Sequence, residues 1–89
     1  MMPCVVIIEG AATGLTTPHD RRYVVAWNPN TIEGVLALTS TDDRRKARVF
    51  EDVSTVFEEW SAISTVQPLR HDMMPNRPLK AINMTVEPA

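Results

Sequence analysis

Apolar residues recur in short runs along the chain, and the spacing within each run predicts its secondary structure. Residues 4–8 are apolar on both alternating faces and rich in β-branched side chains, as in a strand that is covered on both sides. Residues 22–28 and 34–39 form two further runs separated by a Pro-Asn turn signal, which predicts a hairpin. Residues 79–86 alternate apolar and polar side chains and predict a last strand, and residues 64–69 indicate a short strand before it.

Alternation within the predicted hairpin assigns its side chains to two faces. Tyr23, Val25 and Trp27 fall on the face that a helix would cover. The opposite face would then carry four apolar side chains, those of Val24, Ala26, Val35 and Ala37. Because a sheet with one helix leaves a face and at least one edge uncovered, this pattern indicates a homodimer as one way to cover them.

The clearest predicted element is one long amphipathic helix over residues 42–61. Ser40 or Thr41 can cap it, and Asp42 and Asp43 place negative charge in its first turn. At 100° per residue, six apolar side chains form a stripe about 120° wide, which suits packing on a sheet; they are Val49, Phe50, Val53, Val56, Phe57 and Trp60. The order β-β-β-α-(β)-β predicts an α+β fold, with a mostly antiparallel sheet of four to five strands and the helix on one face.

Length and composition limit the class of protein. A chain of 89 residues has room for a single domain, residues 1–89, with a small core, and 44% hydrophobic and 22% charged residues are ordinary for a globular protein. Cys4 is the single cysteine, so an internal disulfide is excluded and a reducing compartment is favoured. Since the sequence shows neither a signal peptide nor a membrane span, we expect a small soluble cytoplasmic protein without membrane contact.

The positions of the positive charges along the chain are the most informative feature of its charge distribution. The net charge of −2 gives no overall attraction to polyanions, so such binding would depend on where the cations lie. The predicted helix carries its cations in residues 44–48, against its dipole. If the first three strands form an up-down-up meander, the loop over residues 10–21 and the start of the helix meet at one end of the sheet. If residues 64–69 form a strand that returns to this end, the loop over residues 70–78 lies there too. We call the predicted cluster the Arg-rich pole, and it consists of Arg21, Arg22, Arg44, Arg45, Lys46, Arg48, Arg70, His71, Arg77 and Lys80.

The Arg-rich pole has two interpretations. Its cations can simply solvate the surface, as most charged runs do. Alternatively they bind a partner, and arginine suits bidentate contacts with carboxylates and phosphates. The first functional hypothesis is a small non-enzymatic binding or adaptor protein whose pole docks an acidic protein partner. The alternative is a nucleic-acid-binding regulator that uses the same pole.

Catalytic and metal-binding motifs are weak in this sequence. His19-Asp20 and His71-Asp72 pair a histidine with a carboxylate, but adjacent residues in loops do not fix a ligand geometry. A small hydrolase is therefore a third hypothesis, and it requires the two histidines to be close together. Residues 9–14, EGAATG, follow a strand without the glycine and lysine pattern of a phosphate loop, which predicts a hairpin loop. We predict no catalytic residue, cofactor or metal.

The string PNRPLKA, residues 75–81, is the most distinctive one in the chain and precedes the last predicted strand. With this string, the chain resembles the short uncharacterised proteins of Gram-negative bacteria and their prophages. The resemblance implies a bacterial origin, and it assigns no activity to any residue.

Overall fold

The computed structural model describes residues 2–11 and 17–89, and its main element is a four-stranded antiparallel sheet. The strands are β1 (Cys4–Ala11), β2 (Tyr23–Asn28), β3 (Ala37–Thr41) and β4 (Ile82–Pro88), in the order β3-β2-β1-β4. One α-helix, α1, spans Val53–Trp60, and two short 3-10 helices span Arg44–Lys46 and Pro78–Ala81. The α+β class and the antiparallel order of the first three strands are confirmed, while part of the predicted loop over residues 10–21 and of the segment EGAATG lies outside the described residues.

The sheet is continuous on one side of β1, with one register shift between Ile8 and Ala11, and divided on the other. β1 pairs with β4 along most of its length, with Val6 opposite Val86, whereas β1 meets β2 in register only at Ile7 and Tyr23. Residues 48–50 fill the gap that opens beyond this point. The Phe50 and Cys4 main chains exchange hydrogen bonds of 2.8 and 3.0 Å, and the Arg48 N–H donates to the Val24 carbonyl at 2.8 Å.

The predicted long helix over residues 42–61 is wrong. The chain forms one 3-10 turn, becomes extended at Ala47, and starts α1 only after Asp52, whose carboxylate accepts from the Thr55 N–H. The reason is tertiary: residues 48–50 hydrogen-bond to the sheet and bury Phe50, so they cannot also form helical bonds. Of the predicted apolar stripe, only Phe50 and Val56 are fully buried, and Val49, Val53 and Phe57 are exposed.

The predicted faces of the hairpin are confirmed for Trp27 and wrong for Tyr23 and Val24, because β2 contains a bulge. The pairing of β2 with β3 skips Val25, which stands as the extra residue between Val24 and Ala26. Val24 and Trp27 therefore both enter the core, whereas Tyr23 lies on the opposite face beside Ile7. The open apolar face predicted for a homodimer thus loses Val24.

The segment before the last strand is irregular, so the prediction of a fifth strand is wrong. Residues 64–69 form no strand, and one isolated bridge joins Leu69 to Pro75. Pro78 opens a 3-10 turn that buries Leu79, and β4 begins three residues later than predicted, at Ile82. Proline lacks a main-chain N–H, and the first residue of a 3-10 turn does not need one. Within a strand the same N–H would be missing from the ladder, which explains why PNRPLKA ends before β4 begins.

The core lies between the sheet and α1. It consists of the Cys4, Val6 and Ile8 side chains of β1, together with Val24, Trp27, Phe50, Val56, Leu79 and Ile82. Trp27 and Phe50 contact each other with ring centroids 5.5 Å apart. In the parts of the chain that the structure describes, no helix has the length and apolar character to cross a membrane.

Candidate functional site

The residues of the predicted Arg-rich pole do not form one cluster in the structure but lie in several separate parts of the molecule. Arg44 lies on the face of the sheet away from the core, where its guanidinium approaches the Tyr23 ring at 5.9 Å and pairs with Glu87 at 2.9 Å. Arg45 pairs with the neighbouring Asp43 and is 89% exposed, and Lys46 is exposed. These three cations lie in the single 3-10 turn that follows β3. They are close together because they are consecutive in the sequence.

Arg48 is used to hold α1 against the hairpin. Its guanidinium makes two bonds of 2.8 and 2.9 Å to the Glu59 carboxylate, which also accepts the Trp27 Nε1–H at 3.0 Å. Burial acts to raise the pKa of Glu59, but the hydrogen bonds from Arg48 and Trp27 outweigh it and hold that pKa below its ordinary value. Arg48 also lies over the Phe50 ring, 4.2 Å from its centroid. This arginine is therefore a structural residue.

Arg21, Arg22 and His19 lie where β2 begins. Arg22 donates to the Ser40 hydroxyl at 3.0 Å, and His19 Nδ1 lies 2.7 Å from the same hydroxyl. His71 instead contacts Glu33 in the turn at the far end of the same hairpin. The two histidines therefore share no site, and within residues 2–11 and 17–89 no three His, Cys, Asp or Glu side chains are placed to hold a metal ion.

The last group of cations lines a cleft of about 440 Å³ between the β2–β3 turn and the segment that leads into β4. Arg70, Arg77 and Lys80 lie along one wall, and residues 33–36 form the other. We call this the cationic cleft. Its lining holds three cations and one carboxylate, Glu33.

Two buried polar residues attach the walls of the cationic cleft to each other. The Asn76 amide donates to the carbonyls of Thr31 and Gln67, at 3.2 and 2.9 Å. The Ser64 hydroxyl donates to the same Thr31 carbonyl at 2.7 Å, and the Ser64 N–H donates to the Asn76 carbonyl at 2.9 Å. Because these groups are buried and bonded, the loop over residues 61–78 has a defined position against the hairpin turn.

The one carboxylate in the cationic cleft is already engaged. Glu33 accepts from both the imidazole and the main-chain N–H of His71, and these hydrogen bonds lower its pKa. Asp72 pairs with Arg70, and its pKa is lowered by the Met74 N–H and by Arg70. Arg77 donates to the Ser61 carbonyl, and the Lys80 ammonium lies 5.2 Å from the centroid of the Trp60 ring. Positive charge in the lining therefore exceeds negative charge.

Sequence patterns did not identify Ser64 and Asn76 as residues that shape a site. Both are neutral, short and set in an irregular segment, so neither periodicity nor charge distinguishes them. The one signal for Asn76 is its place between Pro75 and Arg77, in a stretch where two prolines stiffen the chain.

No protein-family model, curated protein or solved structure matches this chain. A functional assignment therefore depends on the geometry and charge of the surfaces described above. The resemblance to small proteins of Gram-negative bacteria and prophages stays a prediction.

Proposed function

We propose that this protein is a non-enzymatic binding or adaptor module that docks an acidic protein partner through the cationic cleft. One observation carries the proposal: Arg70, Arg77 and Lys80 all line a single concavity, in which the one carboxylate among the described residues, Glu33, is already bound to His71. A carboxylate side chain of a partner would meet an excess of positive charge there. Electrostatic complementarity of this kind supplies specificity and speeds association.

The distribution of the other cations favours a protein over a nucleic acid. A nucleic-acid backbone presents evenly spaced phosphates and needs a continuous row of available cations. Here Arg44 is paired with Glu87 across the opposite face of the sheet, and Arg48 is paired with Glu59. In the cationic cleft Arg70 is likewise paired, with Asp72, and a lining of three cations suits one or two acidic side chains better than a phosphate backbone.

The test is an amide NMR titration with a short glutamate-rich peptide, at low and then near-physiological salt. We expect shifts confined to residues 33–36 and 70–81, which weaken as salt rises because the contacts are exposed. The double variant Arg70→Gln, Lys80→Gln should weaken binding severalfold, since exposed ion pairs contribute about 0.2–1 kcal/mol each. Arg45→Gln is the matched control, because Arg45 is exposed but lies outside the lining of the cleft.

Two results would count against the proposal. Absence of peptide-induced shifts at low salt would remove the cationic cleft as a docking site. Mixed-sequence DNA that shifts residues 21–22 and 44–48 together with the cleft, and binds more tightly than the peptide, would replace the protein partner with a nucleic acid.

A further inference from the structure

The edge strand β4 borders an apolar groove that is separate from the cationic cleft. The groove has a volume of about 420 Å³ between α1 and β4, and the side chains that dominate it are those of Met2, Val53, Phe57, Trp60, Met84 and Val86. Phe57 is 47% exposed although it contacts Trp60, with ring centroids 6.1 Å apart. β4 ends the strand order, so its outer edge pairs with none of the described residues.

The main chain of β4 presents free hydrogen-bonding groups beside this groove. The Ala89 N–H donates to the Pro3 carbonyl at 3.0 Å, and inward and outward bonding alternate along an antiparallel strand. Thr85 and Glu87 therefore bond to β1, and the N–H and C=O groups of Met84 and Val86 point outward. The side chains of the same two residues line the groove. An added strand would thus gain main-chain bonds and apolar contacts at the same residues.

The outer edge of β4 lacks the usual protections against strand pairing. Edge strands are commonly blocked by lysine, by an internal proline or by a bulge. β4 contains no lysine, its proline is the last residue, and its register with β1 is regular from Met84 to Pro88. Its only charged residue, Glu87, is held by Arg44.

We propose that this edge and groove bind a second copy of the chain, with the two β4 strands antiparallel about a two-fold axis at Thr85. The main-chain groups that point outward belong to even-numbered residues, so even-numbered residues of the two copies must face each other. Thr85 is the midpoint of β4, and a two-fold axis there lets the two strands overlap along their full length. Met84 of each copy then pairs with Val86 of the other. Both copies of α1 lie on the same side of the continuous sheet, so each groove is covered by its neighbour.

Polarity favours a second copy over an unrelated strand. On the other face of the sheet, the Asn83 amide of one copy would lie opposite the Glu87 carboxylate of the second copy. The strand that the groove requires, apolar on one face and polar on the other, is β4 itself.

Sedimentation equilibrium over a wide range of protein concentrations tests the association. We expect a reversible dimer, and we expect Phe57→Glu to weaken it by at least about tenfold, because it places an unpaired charge in the apolar contact. Val66→Glu is the matched control, since Val66 is 63% exposed and lies outside the groove. A chain that stays monomeric at several hundred micromolar, or that responds equally to both variants, would overturn the proposal.

Cysteine cross-linking tests the strand register in the same protein. Thr85→Cys places two thiols opposite each other at the axis, in the closely spaced kind of antiparallel pair, so mild oxidation should give a covalent dimer. Asn83→Cys should not, because its opposite residue in the second copy is Glu87. Cys4 does not interfere, because it is buried. Equal cross-linking of the two variants, or none in Thr85→Cys, would refute the arrangement even if a dimer forms.

Discussion

The cationic cleft and the apolar groove differ in what their linings do for the fold. The cleft rests on fully buried groups, namely the Leu79 side chain behind it and the bonded Ser64 and Asn76 at its walls. The groove is lined by side chains such as Phe57 and Val53 that remain substantially exposed. Residues at the cleft therefore contribute to folding and shape together, whereas Val53 and Phe57 of the groove keep much of their apolar surface exposed. An exposed apolar surface next to an open strand edge indicates an interface.

The largest expected effect comes from the core behind the cationic cleft. Leu79 is completely buried, so Leu79→Ala should lower the free energy of unfolding by about 2–5 kcal/mol, from lost apolar burial and the cavity left behind. Leu69→Ala, in the same irregular segment but at an exposed position, should change it by no more than about 0.5 kcal/mol. Urea denaturation at one fixed protein concentration measures both. Similar losses for the two variants would show that the segment does not pack as described.

Removal of the Asn76 amide should have a smaller but still large effect. Asn76→Ala leaves the carbonyls of Thr31 and Gln67 with fewer donors, and buried polar groups without partners cost about 1–3 kcal/mol. Thr39→Ala, at an exposed position of β3, is the control.

Amide hydrogen exchange then locates the loss caused by Asn76→Ala. Protection should fall at Ser64, whose N–H donates to the Asn76 carbonyl, and remain unchanged within α1. Loss of protection spread evenly over the chain would contradict a local role in the cleft.

Strand positions were predictable from sequence because alternation and β-branched runs depend on local chemistry. The runs at residues 4–8, 22–28 and 79–86 all overlap a strand, and they are neighbours in one antiparallel sheet. The faces of β2 were not predictable, because a single bulge at Val25 reverses the assignment of Val24. A bulge leaves no sequence signal when the extra residue is itself β-branched.

The helix and the grouping of the cations were predicted less well, because both depend on contacts between distant residues. An apolar stripe over residues 49–60 fits a helix, yet Phe50 pairs with Cys4 as an extended residue, more than forty positions away. The ten residues of the Arg-rich pole were grouped by strand parity alone. The structure instead joins Arg70, Arg77 and Lys80 in the cationic cleft and assigns Arg48 to an ion pair with Glu59.

The smallest expected effect comes from the ion pair that joins α1, one wall of the apolar groove, to the hairpin. The wall of the groove, α1, is joined to the hairpin by the ion pair of Arg48 with Glu59, whereas the walls of the cationic cleft are joined by the buried neutral hydrogen bonds of Asn76 together with the exposed contact of His71 with Glu33. The hydrogen bonds from Arg48 and Trp27 overcome the effect of burial and lower the pKa of Glu59 below its ordinary 4.5. A carboxyl group with a lowered pKa stabilises the folded state above its ordinary pKa, and this contribution is lost as the pH falls through the lowered value.

Glu59→Gln should therefore lower the free energy of unfolding by about 1 kcal/mol near pH 7, as expected for a hydrogen-bonded and partly exposed charge pair. The difference from the unsubstituted protein should decrease as the pH falls from about 4.5 through the lowered pKa of Glu59, because Glu59 then becomes protonated and loses the charge that Gln also lacks. Glu58→Gln, on the exposed side of the same helix, should show neither effect. Denaturation of the three proteins from pH 7 to pH 3 measures these differences. If the difference at Glu59 stayed constant down to pH 3, the charge of Glu59 would not be what joins α1 to the hairpin.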